Sequence, residues 1–170
     1  EEQQMPVRPF VMYPDPRLRT AARPVAAITD EIRAIWDDML ETMYAMPGYG
    51  LAAPQIGIGL RLAVVDCSER HDAPLVMANP EILHASERMH SHEEASPNLP
   101  GVSALIARPR AVTVGFLNAE GAREERDFVL LWATSVQHQI DHLDGRLFVD
   151  RLGRTRRDMI LRRAAKLRRS

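Results

Sequence analysis

The chain has 170 residues, 45% hydrophobic and 26% charged, with a formal net charge of −1, the balance of a single globular domain able to bury most of its unfolded surface. No apolar run approaches the ~20 residues that span a bilayer, and no signal-type apolar core stands near the start, so a helical membrane protein is excluded and a cytoplasmic one is the simplest expectation. The single cysteine, Cys67, excludes an internal disulfide framework.

In chain order, Glu1-Glu2-Gln3-Gln4 ahead of Met5-Pro6 is set aside as a processing or expression remnant, and the domain is taken as residues 5–170. Pro9, Pro14, Pro16 and Pro24 mark an irregular arm over residues 7–28. A helix is predicted over 30–46, capped by Asp30 and packed on the outside: Ile32, Ile35, Trp36, Met39, Leu40 and Met43 recur with a 3.6 period until Pro47 stops it. Residues 61–66, 74–83 and 107–124 read as strands, with a hairpin connection at 118–121.

Over 128–143, Val129, Trp132, Ala133, Val136, Ile140 and Leu143 form one apolar stripe, and Leu131, Ser135, His138 and His142 an adjacent one. A helix apolar over most of its circumference is a central, buried helix. A basic end follows. Residues 151–170 carry nine Arg and Lys against one acid, Asp158, which leaves residues 1–150 at −9. Such an end is either a polyanion contact or a solvated helix offsetting an acidic body. Ile160, Ala164 and Leu167 give it a weak helical stripe starting near residue 154.

His138 and His142 have the spacing that lets two imidazoles on one helix meet one metal ion. Buried histidines otherwise need hydrogen-bond partners, and the residues alone leave both readings open. The position after the first histidine, the general-base glutamate of H-E-x-x-H hydrolases, holds Gln139. Upstream, Gly48-Tyr49-Gly50-Leu51-Ala52-Ala53-Pro54-Gln55 supplies glycines that allow a close backbone approach by a ligand. Between the two lies Glu94-Ala95-Ser96-Pro97-Asn98-Leu99-Pro100-Gly101-Val102.

These stretches, in this order and spacing, together with Asn79-Pro80-Glu81-Ile82-Leu83 and Asp141-His142-Leu143-Asp144-Gly145, resemble the peptide deformylase family from about Pro9 to Leu152. The resemblance implies an α+β fold with antiparallel β-sheets around the central helix that carries the histidine pair, and a C-terminal helix. It also implies hydrolysis of the formyl group from N-formyl-methionyl peptides by Fe²⁺ or Zn²⁺, held by one cysteine and two histidines. A glutamate takes the water's proton. A glutamine side chain and the backbone N–H after the cysteine hold the formyl oxygen. Carried onto this chain, the ligand positions are His138, His142 and Ser96, the oxyanion donor is Gln55, and the base position is Gln139. Gly48, Tyr49, Gly50, Glu94, Pro97, Leu131, Thr134 and Ser135 fall at substrate-binding positions, with Glu94 placed to orient a ligand histidine and Tyr49 to narrow the mouth. Thr134 and Ser135 either make the pocket more polar than methionine prefers or pack and bond to backbone. The C-terminal helix is the family's ribosome-docking element, so ribosomes are an expected partner; DNA and membranes are not.

Three roles are altered. Ser96 stands for the cysteine, and a hydroxyl that stays protonated is a poor substitute for a soft thiolate. Gln139 stands for the glutamate, and an amide cannot shuttle a proton, a loss of ~10²–10⁴-fold. Pro97 stands for the leucine and has no N–H to donate. The expectation is a deformylase-like protein whose reaction is strongly impaired or lost. The rivals are a metallohydrolase with altered ligands and base, using Ser96 or recruiting His84, His90, His92 or Glu93, and a metal-independent module binding formyl-peptides or the ribosome surface. Cys67 is expected to be a structural or incidental thiol, and Asp141 fits the family's pattern and needs no new role.

Overall fold

The computed structural model describes residues 8–169; the remnant assigned to 1–4 lies outside them. Its elements are α1 (Asp30–Ala45), β1 (Gly50–Ala52), β2 (Leu62–Val65), β3 (Leu75–Ala85), β4 (Met89–Glu94), β5 (Ala104–Pro109), β6 (Ala111–Leu117), β7 (Arg123–Val129), α2 (Leu130–Leu143) and α3 (Arg154–Arg169), with short 3-10 turns at Pro16–Arg19, Ala53–Ile56 and Phe148–Arg151. Five strands in the order β1-β2-β3-β6-β7 form one antiparallel sheet, and β4 pairs with β5 in a second. The fold is α+β, with α2 between the sheets, as the central buried stripe predicts.

Three clusters hold it together. Val136, Ile140 and Leu143 of α2 pack on Met77, Val114 and Phe116 of the large sheet. Trp36, Met39 and Met43 of α1 close the other side, over Leu51, Leu62 and Val64. The third cluster joins Ala164 of α3 to Leu18, Ile106 and Phe148, with Ile160 and Leu161 packed against it. The basic C-terminal helix is therefore anchored on one face, while Arg154, Arg156, Arg162, Arg163 and Lys166 stay exposed on the rest.

Several boundaries differ from the sequence expectation. The cap of α1 is Thr29, whose hydroxyl accepts from Ile32 N–H at 3.3 Å. Asp30 is already helical and bonds to Arg33. The 107–124 segment divides at Arg110 between β5 and β6, and β7 runs on to Val129, so α2 starts at Leu130 rather than 128. The junction is sharp: Leu130 adopts φ 53°, a conformation a bulky side chain seldom takes. The 118–121 hairpin is present, with Gly121 N–H donating to Asn118 O at 3.0 Å and Asn118 N–H to Ala122 O at 2.9 Å.

Candidate functional site

Every α2 residue from Ala133 to Leu143 is buried, which is how the helix carries its polar side chains into the interior. His138 and His142 bring their Nε2 atoms to 3.1 Å from each other. Glu94, at the end of β4, accepts from His138 Nδ1 at 2.8 Å, so the other ring nitrogen faces His142. Burial first, and the neighbouring His138 second, push His142 well below the ordinary imidazole range; it is neutral.

Behind the pair lies a buried ionic chain. Arg108 is wholly buried on β5 and donates through Nε and Nη2 to Glu94 at 2.7 and 2.9 Å, and through Nη1 to Asp141 at 2.8 Å. Arg151 grips the same Asp141 at 2.8 and 3.0 Å. Burial alone would raise both carboxyls. Hydrogen bonds from His138 and Arg108 outweigh it at Glu94, and those from Arg151 and Arg108 with their charges do so at Asp141, so both are held below the usual carboxylate range. Two carboxylates against two guanidiniums make the support neutral, and it fixes His138 in one orientation. Asp141 is thus the acidic bridge between Arg108 and Arg151.

The loop after β4 is ordered by Asn98. Its Oδ1 accepts from Gln55 Nε2 at 2.7 Å and from the Ser96 hydroxyl at 3.0 Å, while its Nδ2 donates to Gln55 O and Val11 O. Ala52 N–H donates to Gln55 Oε1 at 2.8 Å, which turns the amide nitrogen toward Ser96, 3.3 Å away. Gln55, Ser96 and Asn98 therefore form one closed buried network.

These groups border a cleft of about 460 Å³. Gly48, Tyr49 and Gly50 make one side, with Tyr49 half exposed at the mouth and its ring edge-on to His71, 6.3 Å between centroids. Glu94, Ser96 and Pro97 line the opposite loop, Gln55 and His138 also border the space, and Leu131, Thr134, Ser135 and Gln139 come from α2. His142 is buried behind His138 and does not line the cleft. The Ser135 hydroxyl is spent on Tyr49 O at 3.2 Å, a bond to backbone across the cleft wall.

Gly50 must lack a side chain: a Cβ there would sit 2.5 Å from Gln139 Nε2 and 2.6 Å from Ser135 Oγ. Both neighbours are buried, so Gly50→Ala is expected to lower stability by ~1–3 kcal/mol through overpacking, measured by chemical denaturation. Gln139 Oε1 is the buried side-chain polar atom without a hydrogen-bond partner among the described residues.

The substitute ligands do not assemble. His84 lies on the exposed end of β3. His92 and Glu93 reach the cleft rim, but His92 Nδ1 donates to Glu93 O at 2.8 Å and Glu93 accepts from Ser103 at 2.7 Å. Burial pushes the Cys67 thiol up to about 12, so near neutrality it is protonated. Among the described residues, no group of three or more His, Cys, Asp or Glu side chains converges as a metal shell.

The chain matches the polypeptide deformylase family over residues 7–158. It is 47% identical to the peptide deformylase of Methylocella silvestris, covering 96% of this chain and 87% of that one, and 45% identical to that of Acidobacterium capsulatum, covering 98% of each. The fold superposes on the crystal structure of the Ehrlichia chaffeensis peptide deformylase in complex with actinonin, with a TM-score of 0.91 at 32% identity over 98% of this chain and all of that one. The Legionella pneumophila peptide deformylase gives 0.88 at 38% identity, covering 95% of each. The chain belongs to the peptide deformylase family.

Peptide deformylases are metal-dependent, and the donors here fit a divalent ion only in part. Two imidazole nitrogens 3.1 Å apart suit two ligands sharing one ion at ~2.0–2.1 Å each. The third donor fits poorly: Ser96 offers a neutral hydroxyl already bonded to Asn98, a much weaker donor to Fe or Zn than a thiolate. Sequence reasoning missed the supporting groups Arg108, Asp141, Arg151 and Asn98. The inward alternation of Ala104, Ile106 and Arg108 on β5 was the available signal for Arg108, since a charge on a buried strand face demands partners.

Proposed function

We propose that this family member keeps the cleft for methionine-headed peptide termini while its hydrolysis of N-formyl-methionyl peptides is strongly impaired or lost. The observation that carries the reading is the joint replacement of three roles around one preserved cleft: Ser96 at the thiolate position, Pro97 at the N–H position and Gln139 at the base position. Gln55, the remaining donor, has its amide hydrogens turned to Asn98 and Ser96. His138 and His142 are the ligands for Fe²⁺ or Zn²⁺ in this reading, and without a thiolate they hold the ion weakly. The base is missing as well: Gln139 accepts a hydrogen bond but cannot take a proton from water and return it. Residues 5–170 act as one unit, in a cytoplasmic setting. The test is formate release from formyl-Met peptides by the unmodified chain supplied with metal, together with its metal content after purification without chelator.

A ribosome contact belongs to the same proposal, because α3 is anchored by Ala164 while its arginines remain exposed. Binding to ribosomes is expected to weaken as salt rises and to be lost when Arg156, Arg162 and Arg163 are changed together to Glu, as measured by co-sedimentation. Co-sedimentation unchanged by the triple substitution would remove α3 from the proposal.

A further inference from the structure

A second cavity, of about 840 Å³, opens where β5, the turn that follows α2 and the first turns of α3 meet, and none of its lining residues borders the cleft. Arg19, Arg146, Arg151 and Arg157 line it together with Asp141, Asp150 and Asp158, four positive charges against three negative, so the lining carries +1.

The acceptors in this lining are spent. Asp141 Oδ2 accepts from Arg108 and from Arg151 at 2.8 Å each, and its Oδ1 from Arg151 at 3.0 Å. Asp150 accepts from Arg19 and from Leu147 N–H, and Asp158 from Arg157 at 3.3 Å. The donors are not spent. A guanidinium has five N–H groups, yet among the described residues Arg157 commits only Nε and Arg19 only Nη1. The exposed Arg146 makes no side-chain hydrogen bond or ion pair among them. The cavity therefore holds a surplus of N–H donors with no acceptor to meet them.

We propose that this cavity binds the phosphate monoester of a small molecule that has an apolar or aromatic body. A monoester brings three acceptor oxygens and a charge of about −1.5 to −2 near neutrality, and guanidinium forks meet such oxygens in bidentate pairs. The volume is that of a small-molecule pocket, which runs ~300–1,000 Å³, and exceeds what a bare phosphate fills. Ala107, Leu147 and Leu161 supply apolar surface for the remainder. The interspersed carboxylates set the source of the phosphate. One phosphate satisfies a lining of +1, whereas a run of consecutive phosphates would meet Asp150 and Asp158 as well, a like-charge contact. The site is independent of whether the cleft hydrolyses formyl peptides.

Calorimetric titration of the full chain tests this with adenosine 5′-monophosphate, adenosine, inorganic phosphate and an oligouridylate without terminal phosphates. The buffer is free of phosphate and holds about 0.15 M salt, which screens charges beyond ~8 Å. The monophosphate is expected to bind at least tenfold more tightly than adenosine, with inorganic phosphate competing against it. Arg146→Ser with Arg157→Ser should weaken the monophosphate at least tenfold. Arg162→Ser with Arg163→Ser, which removes the same charge outside the lining, should leave its affinity unchanged. Arg146→Ser alone, at an exposed side chain, should weaken it in the same direction and serves if the pair fails to fold. Failure of the monophosphate to bind the unmodified chain overturns the proposal, as does adenosine binding equally well or affinity that survives loss of Arg146 and Arg157. Tighter binding of the oligouridylate, lost in the same variant, overturns it too and makes the cavity an RNA-backbone contact.

Discussion

Restoring Ser96→Cys, Pro97→Leu and Gln139→Glu together, in chain supplied with Fe²⁺ or Zn²⁺, is expected to raise formate release from formyl-Met peptides by several orders of magnitude over the unmodified protein. The general base alone is worth ~10²–10⁴-fold, and one oxyanion donor ~2.7–4 kcal/mol of transition-state stabilisation. The thiolate adds ion occupancy, without which neither of the others acts. Because the three work as a unit, their effects do not add: each single reversion should recover little. Leu at position 97 restores the missing N–H, and Cys at 96 releases Asn98 from the Ser96 hydroxyl. Steady-state kinetics of the three single variants and the combined one check this. A combined variant no faster than the parent would mean that the cleft has been altered beyond these positions.

The second large effect lies in stability. Arg108→Met is expected to cost ~3–5 kcal/mol near neutral pH, the usual result of removing one partner from a buried ionic group. Glu94 loses its two guanidinium bonds and Asp141 loses one. The pH dependence carries the signature. In the parent, Glu94 and Asp141 titrate below their ordinary values of 4.5 and 3.8. Their contribution is complete above those values and is lost as pH falls through the lower folded ones. In the variant, Glu94 keeps only its His138 bond and Asp141 only its Arg151 bonds, so both carboxyls titrate higher than in the parent and protonation relieves part of the defect. The gap between parent and variant should narrow from pH 7 toward pH 4, as read by urea denaturation at several pH values. A gap that stays constant would mean that Arg108 acts by packing alone.

Much of this was legible locally. Three short stretches carried the family resemblance, and the stripe from Val129 to Leu143 made α2 central because a helix apolar on most sides has to be covered. The His138 and His142 spacing gave the pair, though not its 3.1 Å approach. The ionic support was hidden because Arg108 finds Glu94 and Asp141 14 and 33 residues away, and His138 finds Glu94 44 residues away. Only the packing of β4, β5 and α2 brings them together. Asn98 was given no role from the sequence, yet its two-ended amide ties Gln55, Ser96 and the Val11 backbone into one network. The cap of α1 slipped by one residue because Thr29 and Asp30 are both good capping types; Thr29 takes the place with extended backbone angles, φ −101° and ψ 170°. The left-handed Leu130 could not be read at all, since a leucine gives no hint of positive φ.

The most direct test of an inherited cleft stripped of its reactive groups is single-turnover formate release by the unmodified chain, saturated with Fe²⁺ and mixed with excess protein over formyl-Met-Ala-Ser. The account predicts no formate above that of a metal-only blank, on samples whose metal content is measured in parallel. Release of one equivalent per peptide, at a rate within about tenfold of the combined Ser96→Cys, Pro97→Leu, Gln139→Glu variant, that is, short of even the smallest general-base loss of ~10²-fold, would contradict it.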